Sequence, residues 1–255
     1  MVMKARLIAN IIEEFAPLHT QLEWDNAGFC IGSPDAEIRG VLVGFDCTPD
    51  LLREAIEVGA NMVVTHHPLI FNGVKKINDR DFIRETICLA VKNDIVVYAA
   101  HTNADKAAGG VNTLMARRLS LSHPEPLDET GLCLVGDLSQ TMSSAQFIDY
   151  VKKCYSLVCL RTSKPLDKGI RKVAVSSGSG SSFISAARAA GADAIITGDV
   201  SYHHFFCDDD FMVLDIGHYE SEIDIVSTLL DILQKKLPNF AVSMTIKNNN
   251  PIYYR

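Results

Sequence analysis

The chain has 255 residues, 47% of them hydrophobic and 22% charged, which is the profile of a globular protein long enough for one large or two modest lobes. No window reaches the roughly 18 consecutive apolar residues that a membrane span needs, so a membrane partner is not expected. The net charge is −7 with the basic residues dispersed, which argues against nucleic acid as a partner.

In chain order, MVMKARLIANIIEEF is broken by Glu13 and Glu14 and is followed by no small-residue cleavage site, so it reads as an amphipathic first helix rather than a signal peptide. The stretch LEWDN places Trp24 and Asp25 where they could line a pocket, although Asp25 could instead cap a turn. Val41–Phe45 reads as a strand, Pro49–Val58 as a helix and Asn61–Thr65 as a strand. The pattern continues with a helix over Asp81–Lys92, a strand over Ile95–Ala99 and a helix over Val111–Leu119. Such alternation predicts an α/β fold with largely parallel strands. LSHPEPLDETG, residues 121–131, is rich in proline and acid and has no period, and is the expected lobe boundary. Seven cysteines, at 30, 47, 88, 133, 154, 159 and 207, form no CxxC pair. A disulfide framework or thiolate metal site is therefore not expected, and a reducing, cytoplasmic setting is.

RGVLVGFDCTPDLLREAIEVGANMVVTHH from Arg39 aligns without a gap on RKVAVSSGSGSSFISAARAAGADAIITGD from Arg171. The shared unit is strand, helix, Gly-Ala turn, strand, and it predicts two similar α/β lobes produced by internal duplication. Any two βαβ units look somewhat alike, and that is the plainer account. The copies part at the second strand's end, where His66 and His67 face Gly198 and Asp199. The second copy manages without histidine there, which weakens a purely structural role for the pair.

Donors gather at three strand ends: His66 and His67 after VVT, Asp105 in HTNAD, and His218 with Glu222 in GHYESE. His218 and Glu222 are four apart, so on a helix they share one face. Adjacent strand side chains point to opposite faces, but Pro68 bends the chain so that His66 and His67 could each serve a different centre. Three imidazoles and two carboxylates are too many for one catalytic metal and suit two divalent ions, with Glu222 or Asp105 bridging. The N/O set fits zinc, iron or manganese. His101 is expected to support the site by hydrogen bonding. Each piece has a duller reading as well: an HH pair as core or surface filler, HxxxE as chance, HTNAD as an Asx-capped turn. His203 and His204 are a rival pair, read as packing or rim residues, and His19 and His123 as loop residues. SSGSGSS, residues 176–182, could cradle a phosphate or simply be the repeat's strand-to-helix turn.

Taken together, LEWDNAGFCIGSP, GFDCTP, VVTHHPLIF, HTNADKAAGGVN, ITGDVSYH, DIGHYESE and the terminal NNPIYYR resemble the NIF-three-like family, the GTP cyclohydrolase I type 2 homologues. The resemblance runs through nearly the whole chain and is to the short form without an inserted domain. It implies two similar α/β lobes and a dinuclear metal site on His66, His67, Asp105, His218 and Glu222. It also implies a homohexamer, a trimer of dimers. The expected lobes are residues 1–125 with 206–255, which bind the metals, and residues 126–205. The implied activity is a metal-dependent hydrolase in which a metal-bound hydroxide attacks a purine nucleotide such as GTP. The alternative is a non-enzymatic metal chaperone or regulatory binding protein.

Overall fold

The computed structural model describes residues 2–78, 81–247 and 250–255. Met1 of the expected first lobe and Asn249 of NNPIYYR lie outside them. The chain divides into two compact units, Met1–Ala104 with Ile225–Arg255, and Asp105–Asp224.

In the first unit, β1 (Met3–Lys4) leads into α1 (Ala5–Phe15), whose Ala5, Ile8, Ala9 and Ile12 form one buried stripe at helical spacing. Then follow β2 (Gly28–Ile31), β3 (Glu37–Ile38), β4 (Val41–Val43), α2 (Pro49–Glu57), β5 (Met62–Thr65), α3 (Phe82–Lys92) and β6 (Val96–Ala99). Thr48 caps α2 by accepting the Leu51 N–H, with Pro49 preset at the first helical position. Strands β4, β5 and β6 run parallel and β2 closes one edge antiparallel to β6. Leu42, Val63 and Val97 pack with Leu51, Leu52 and Ile87 of the covering helices. The short helix α4 (Thr102–Asp105) follows β6, and the division of the chain falls within it.

The second unit comprises α5 (Val111–Arg118), β7 (Ser122–Pro126), β8 (Leu134–Met142), α6 (Ser144–Tyr155), β9 (Arg161–Thr162), β10 (Ile170–Val175), α7 (Ile184–Ala189), β11 (Ala194–Thr197), β12 (Met212–Asp215) and α8 (His218–Glu222). Its sheet has the order β7-β8-β10-β11-β12-β9, with β10, β11 and β12 parallel. Both faces are buried. Val173, Val175, Ile196 and Leu214 pack with Phe147 and Val151 of α6, while the alternate residues Ala174, Ile195 and Val213 pack with Ala187 of α7. The chain then returns to the first unit as α9 (Asp224–Lys236) and β13 (Val242–Met244), which adds a parallel edge beside β4.

The α/β class is as the sequence predicts, and the six early elements fall within two residues of their expected limits. The two strand-helix-strand units also agree in register. Val41–Val43 pair with Met62–Val64, and Val173–Val175 pair with Ala194–Ile196, every position displaced by 132 (173 less 41, 194 less 62). The turn before the second strand is the same in both: Gly59 and Gly191 have φ of +75° and +76°, and Asn61 and Asp193 accept the backbone N–H of Arg39 and Arg171.

The lobe limits differ from the expectation. Residues 121–131 are no linker: Ser122–Pro126 form the edge strand β7 against β8, where prolines are tolerated because one side of an edge strand makes no ladder bonds. His123, expected in a loop, lies in this strand. Residues 206–224 belong to the second unit because β12 runs parallel to β11 there.

Candidate metal centre

The first unit answers how two adjacent histidines can face one place. Past β5 the backbone leaves strand geometry: the N–H groups of His66 and His67 both donate to the Phe45 carbonyl, at 3.0 and 3.4 Å, and Thr65 Oγ1 donates to the His67 carbonyl at 2.9 Å. The two rings then lie with centroids 4.8 Å apart. His101, from the end of β6, joins them at 5.3 and 5.4 Å. Each of His66, His67 and His101 offers a ligand nitrogen, and these lie within 4.8 Å of one another. Phe45, itself buried, stacks on His66 and abuts His67 edge-on, so the cluster has an apolar wall.

Every ring of this cluster is held through Nδ1. His66 Nδ1–H donates to the Ala100 carbonyl at 2.8 Å, His67 Nδ1–H to Asp46 at 2.7 Å and His101 Nδ1–H to Asp25 at 2.8 Å. A carbonyl or carboxylate only accepts, so a proton sits on Nδ1; the neutral ring then has its lone pair on Nε2, which is the tautomer a metal needs. Asp25 is a clamp rather than a turn cap. Burial raises its pKa, yet the hydrogen bonds of His101 and Thr102 outweigh this and hold it down at about 2.

In the second unit α8 presents His218 and Glu222 on one face, with Nε2 and Oε2 3.1 Å apart. His218 Nδ1–H donates to Asp199 at 2.7 Å, the same anchoring seen in the first unit. With Nδ1 protonated, Nε2 and a carboxylate oxygen face each other as two electron-pair donors, an arrangement that a proton or a metal cation must bridge. Asp105 brings a carboxylate oxygen within 4.8 Å of one from Glu222. Both carboxylates are buried, and buried carboxylates require positive charge or hydrogen-bond donors.

The loop 176–182 gives room to this pair. Gly178 has φ +56°, and a Cβ there would lie 2.3 Å from Glu222 Oε1. Its candidate role as a phosphate cradle is not supported, because the Ser177, Gly178 and Gly180 N–H groups donate to Asn112, Ser221 and Thr197 side chains. Asn112 also donates to the Asp105 carbonyl at 3.2 Å, and Ser177 Oγ lies 3.4 Å from the Asp105 carboxylate. His203 and His204 stand exposed in a short turn. Sequence reasoning missed the ring anchors Asp46 and Asp199. Both lay in view, one in GFDCTP and the other opposite His67 in the repeat, but a carboxylate's partner is not legible from spacing.

Residues 3–251 match the family Duf34/NIF3 (NGG1p interacting factor 3). The chain belongs to the DUF34/NIF3 family. A relative from Clostridium acetobutylicum, named GTP cyclohydrolase 1 type 2 homolog, is 34% identical over 99% of this chain and 95% of its own. The Bacillus cereus protein related to NIF3 superposes with a TM-score of 0.90 at 24% identity, covering 100% of this chain and 99% of the other. Reduced HcgD from Methanocaldococcus jannaschii superposes at 0.84 with 30% identity, over 97% and 99% of the two chains. The NIF3 fold is thus shared along the whole chain. Among the described residues no helix is long and apolar enough to cross a membrane.

Proposed function

We propose that His66, His67, Asp105, His218 and Glu222 hold two divalent metal ions, and that the centre hydrolyses a purine nucleotide in the manner of a GTP cyclohydrolase. The observation that carries the reading is the common anchoring of the imidazoles: His66, His67 and His218 each give Nδ1–H to an acceptor, leaving Nε2 as ligand. The mixed nitrogen and carboxylate set suits zinc, iron(II) or manganese, and among the described residues no thiolate joins it.

Two ions bound there would lower the pKa of a coordinated water and polarise the bond under attack. The chain's own groups do the rest. Buried Asp105 and Glu222 supply the negative charge that retains cations, and either can bridge. His101, oriented by the ionised Asp25, stands beside the ligands as the group that takes and returns a proton. Phe45 keeps one side of the imidazole cluster dry, which strengthens the electrostatic interactions there.

Hydrolysis at C8 of GTP opens the five-membered ring and releases formate. Protein loaded with zinc, iron(II) or manganese and incubated with GTP is expected to yield formate by mass spectrometry, and His218→Ala to yield none. Metal-loaded protein that yields no formate and passes its metal rapidly to a competing apo-protein would favour the metal-carrier reading. We also propose the homohexamer that the family resemblance implies. Light scattering should then give six times the 28.0 kDa subunit, and a single-subunit mass would overturn it.

A further inference from the structure

Two aromatic side chains touch the histidine cluster of the first unit and yet remain open to water. Trp24 meets the His101 ring edge to face at 6.0 Å, and Phe71 meets the same ring at 5.3 Å with planes 85° apart. Trp24 is 62% exposed and Phe71 47%. A lone exposed aromatic means little. Two on one buried histidine, from separate loops, is a different matter.

The loops are not free to fold these rings away. Asp25, next to Trp24, has a fully buried side chain that receives hydrogen bonds from His101 Nδ1–H and from the N–H and Oγ1–H of Thr102. Asn26 donates to the Ile70 carbonyl at 2.6 Å, tying this loop to the one that carries Phe71. Gln21 Oε1 accepts the Ala27 N–H at 3.0 Å and closes the loop on itself. Exposed indole forgoes roughly 25 cal/mol for each Å² it could have buried. The structure spends several hydrogen bonds to hold the indole at the edge of the cluster instead.

We propose that Trp24, with Phe71 beside it, is the stacking platform for the planar purine ring of the substrate. It would hold the ring next to His101 and set a preference for ring-bearing ligands over sugar phosphates. The proposal rests on the reading of the centre as one that acts on purine nucleotides. Stacking on tryptophan engages the π-face of a base rather than its hydrogen-bonding edge, and is worth on the order of a tenfold change in affinity for each base.

Trp24 is the only tryptophan of the chain, so intrinsic fluorescence reports on this position alone. Titration of the metal-loaded protein with guanosine is expected to quench that emission saturably, whereas ribose 5-phosphate should leave it unchanged. By calorimetry, Trp24→Ala should weaken guanosine binding about tenfold and Trp24→Phe by less than about threefold, with metal content equal in all three proteins. Guanosine bound by Trp24→Ala as tightly as by the wild type, or equal quenching by ribose 5-phosphate, would overturn the platform. Failure of the hydrolase reading looks different: no formate from GTP while guanosine still quenches Trp24.

Discussion

The two strand-helix-strand units share one register and one turn, yet position 66 is histidine in the first and its counterpart, position 198, is glycine in the second. The reason is space. At the end of β5 the His66 ring fits beside Phe45 and reaches the Ala100 carbonyl. At the end of β11 that room is taken by backbone: a Cβ on Gly198 would lie 2.7 Å from the His218 nitrogen, 2.8 Å from the Gly217 carbonyl carbon and 2.9 Å from the Gly178 oxygen. The second unit therefore takes its imidazole from the end of the next strand, at His218. Asp199, the counterpart of His67, anchors that imidazole instead of being one. One scaffold thus yields a nitrogen-rich donor set in the first unit and a carboxylate-rich set in the second.

Exchanging the two strand ends should break the scheme most severely. Gly198→His drives a side chain into immobile backbone, and a loss of more than about 3 kcal/mol is expected in urea unfolding, or no soluble protein at all. A variant of near wild-type stability would show that the second strand end has room after all. Next in size are the ring anchors. Asp46→Asn and Asp199→Asn should each weaken metal binding about 10- to 100-fold in competition with a chelator while leaving the fold intact. An effect of one and not the other would show that the two units anchor their ligands differently.

The matched turns sharpen the comparison at smaller scale. Gly59→Ala and Gly191→Ala place alanine at φ near +75° with nothing within 4 Å of the new Cβ, so each should cost about 1 kcal/mol by thermal unfolding, and the two costs should agree. The smallest effect is acid sensitivity. Asn61 and Asp193 clasp the same turn, but only Asp193 titrates. Burial raises its pKa, and Lys168 with the N–H groups of Lys172 and Arg171 more than offsets this, holding it below its ordinary 3.8. A depressed carboxylate contributes stability that is present above 3.8 and lost as pH falls through its folded value. Asp193→Asn should therefore flatten the acid limb of the stability curve, at a cost of under about 1 kcal/mol near neutral pH.

Much of this was legible in the sequence. Apolar runs of four or five residues separated by helical stripes gave the strands and helices of the first half. The repeat announced its own register, because a parallel βαβ unit leaves little freedom once turn and helix length match. The residues of the proposed centre, His66, His67, Asp105, His218 and Glu222, follow strands β5, β6 and β12, on the side where α/β folds carry their sites. Three things were not legible. Proline and acid in residues 122–126 looked like a linker because an edge strand exposed along its whole length has no buried face to impose a period. The place of β12 beside β11 depends on long-range pairing, which no local pattern encodes. The ring anchors were hidden too, because Asp46 and Asp199 reach His67 and His218 only once the chain is folded.

Metal content tests the account most directly. Protein purified without chelator and then saturated with zinc, iron(II) or manganese should carry two ions per chain by elemental analysis. The double replacement of His66 and His67 by alanine should carry fewer than one, with the circular dichroism of the fold retained. A wild-type chain holding clearly less than one ion, unchanged by that double replacement, would contradict the proposed centre.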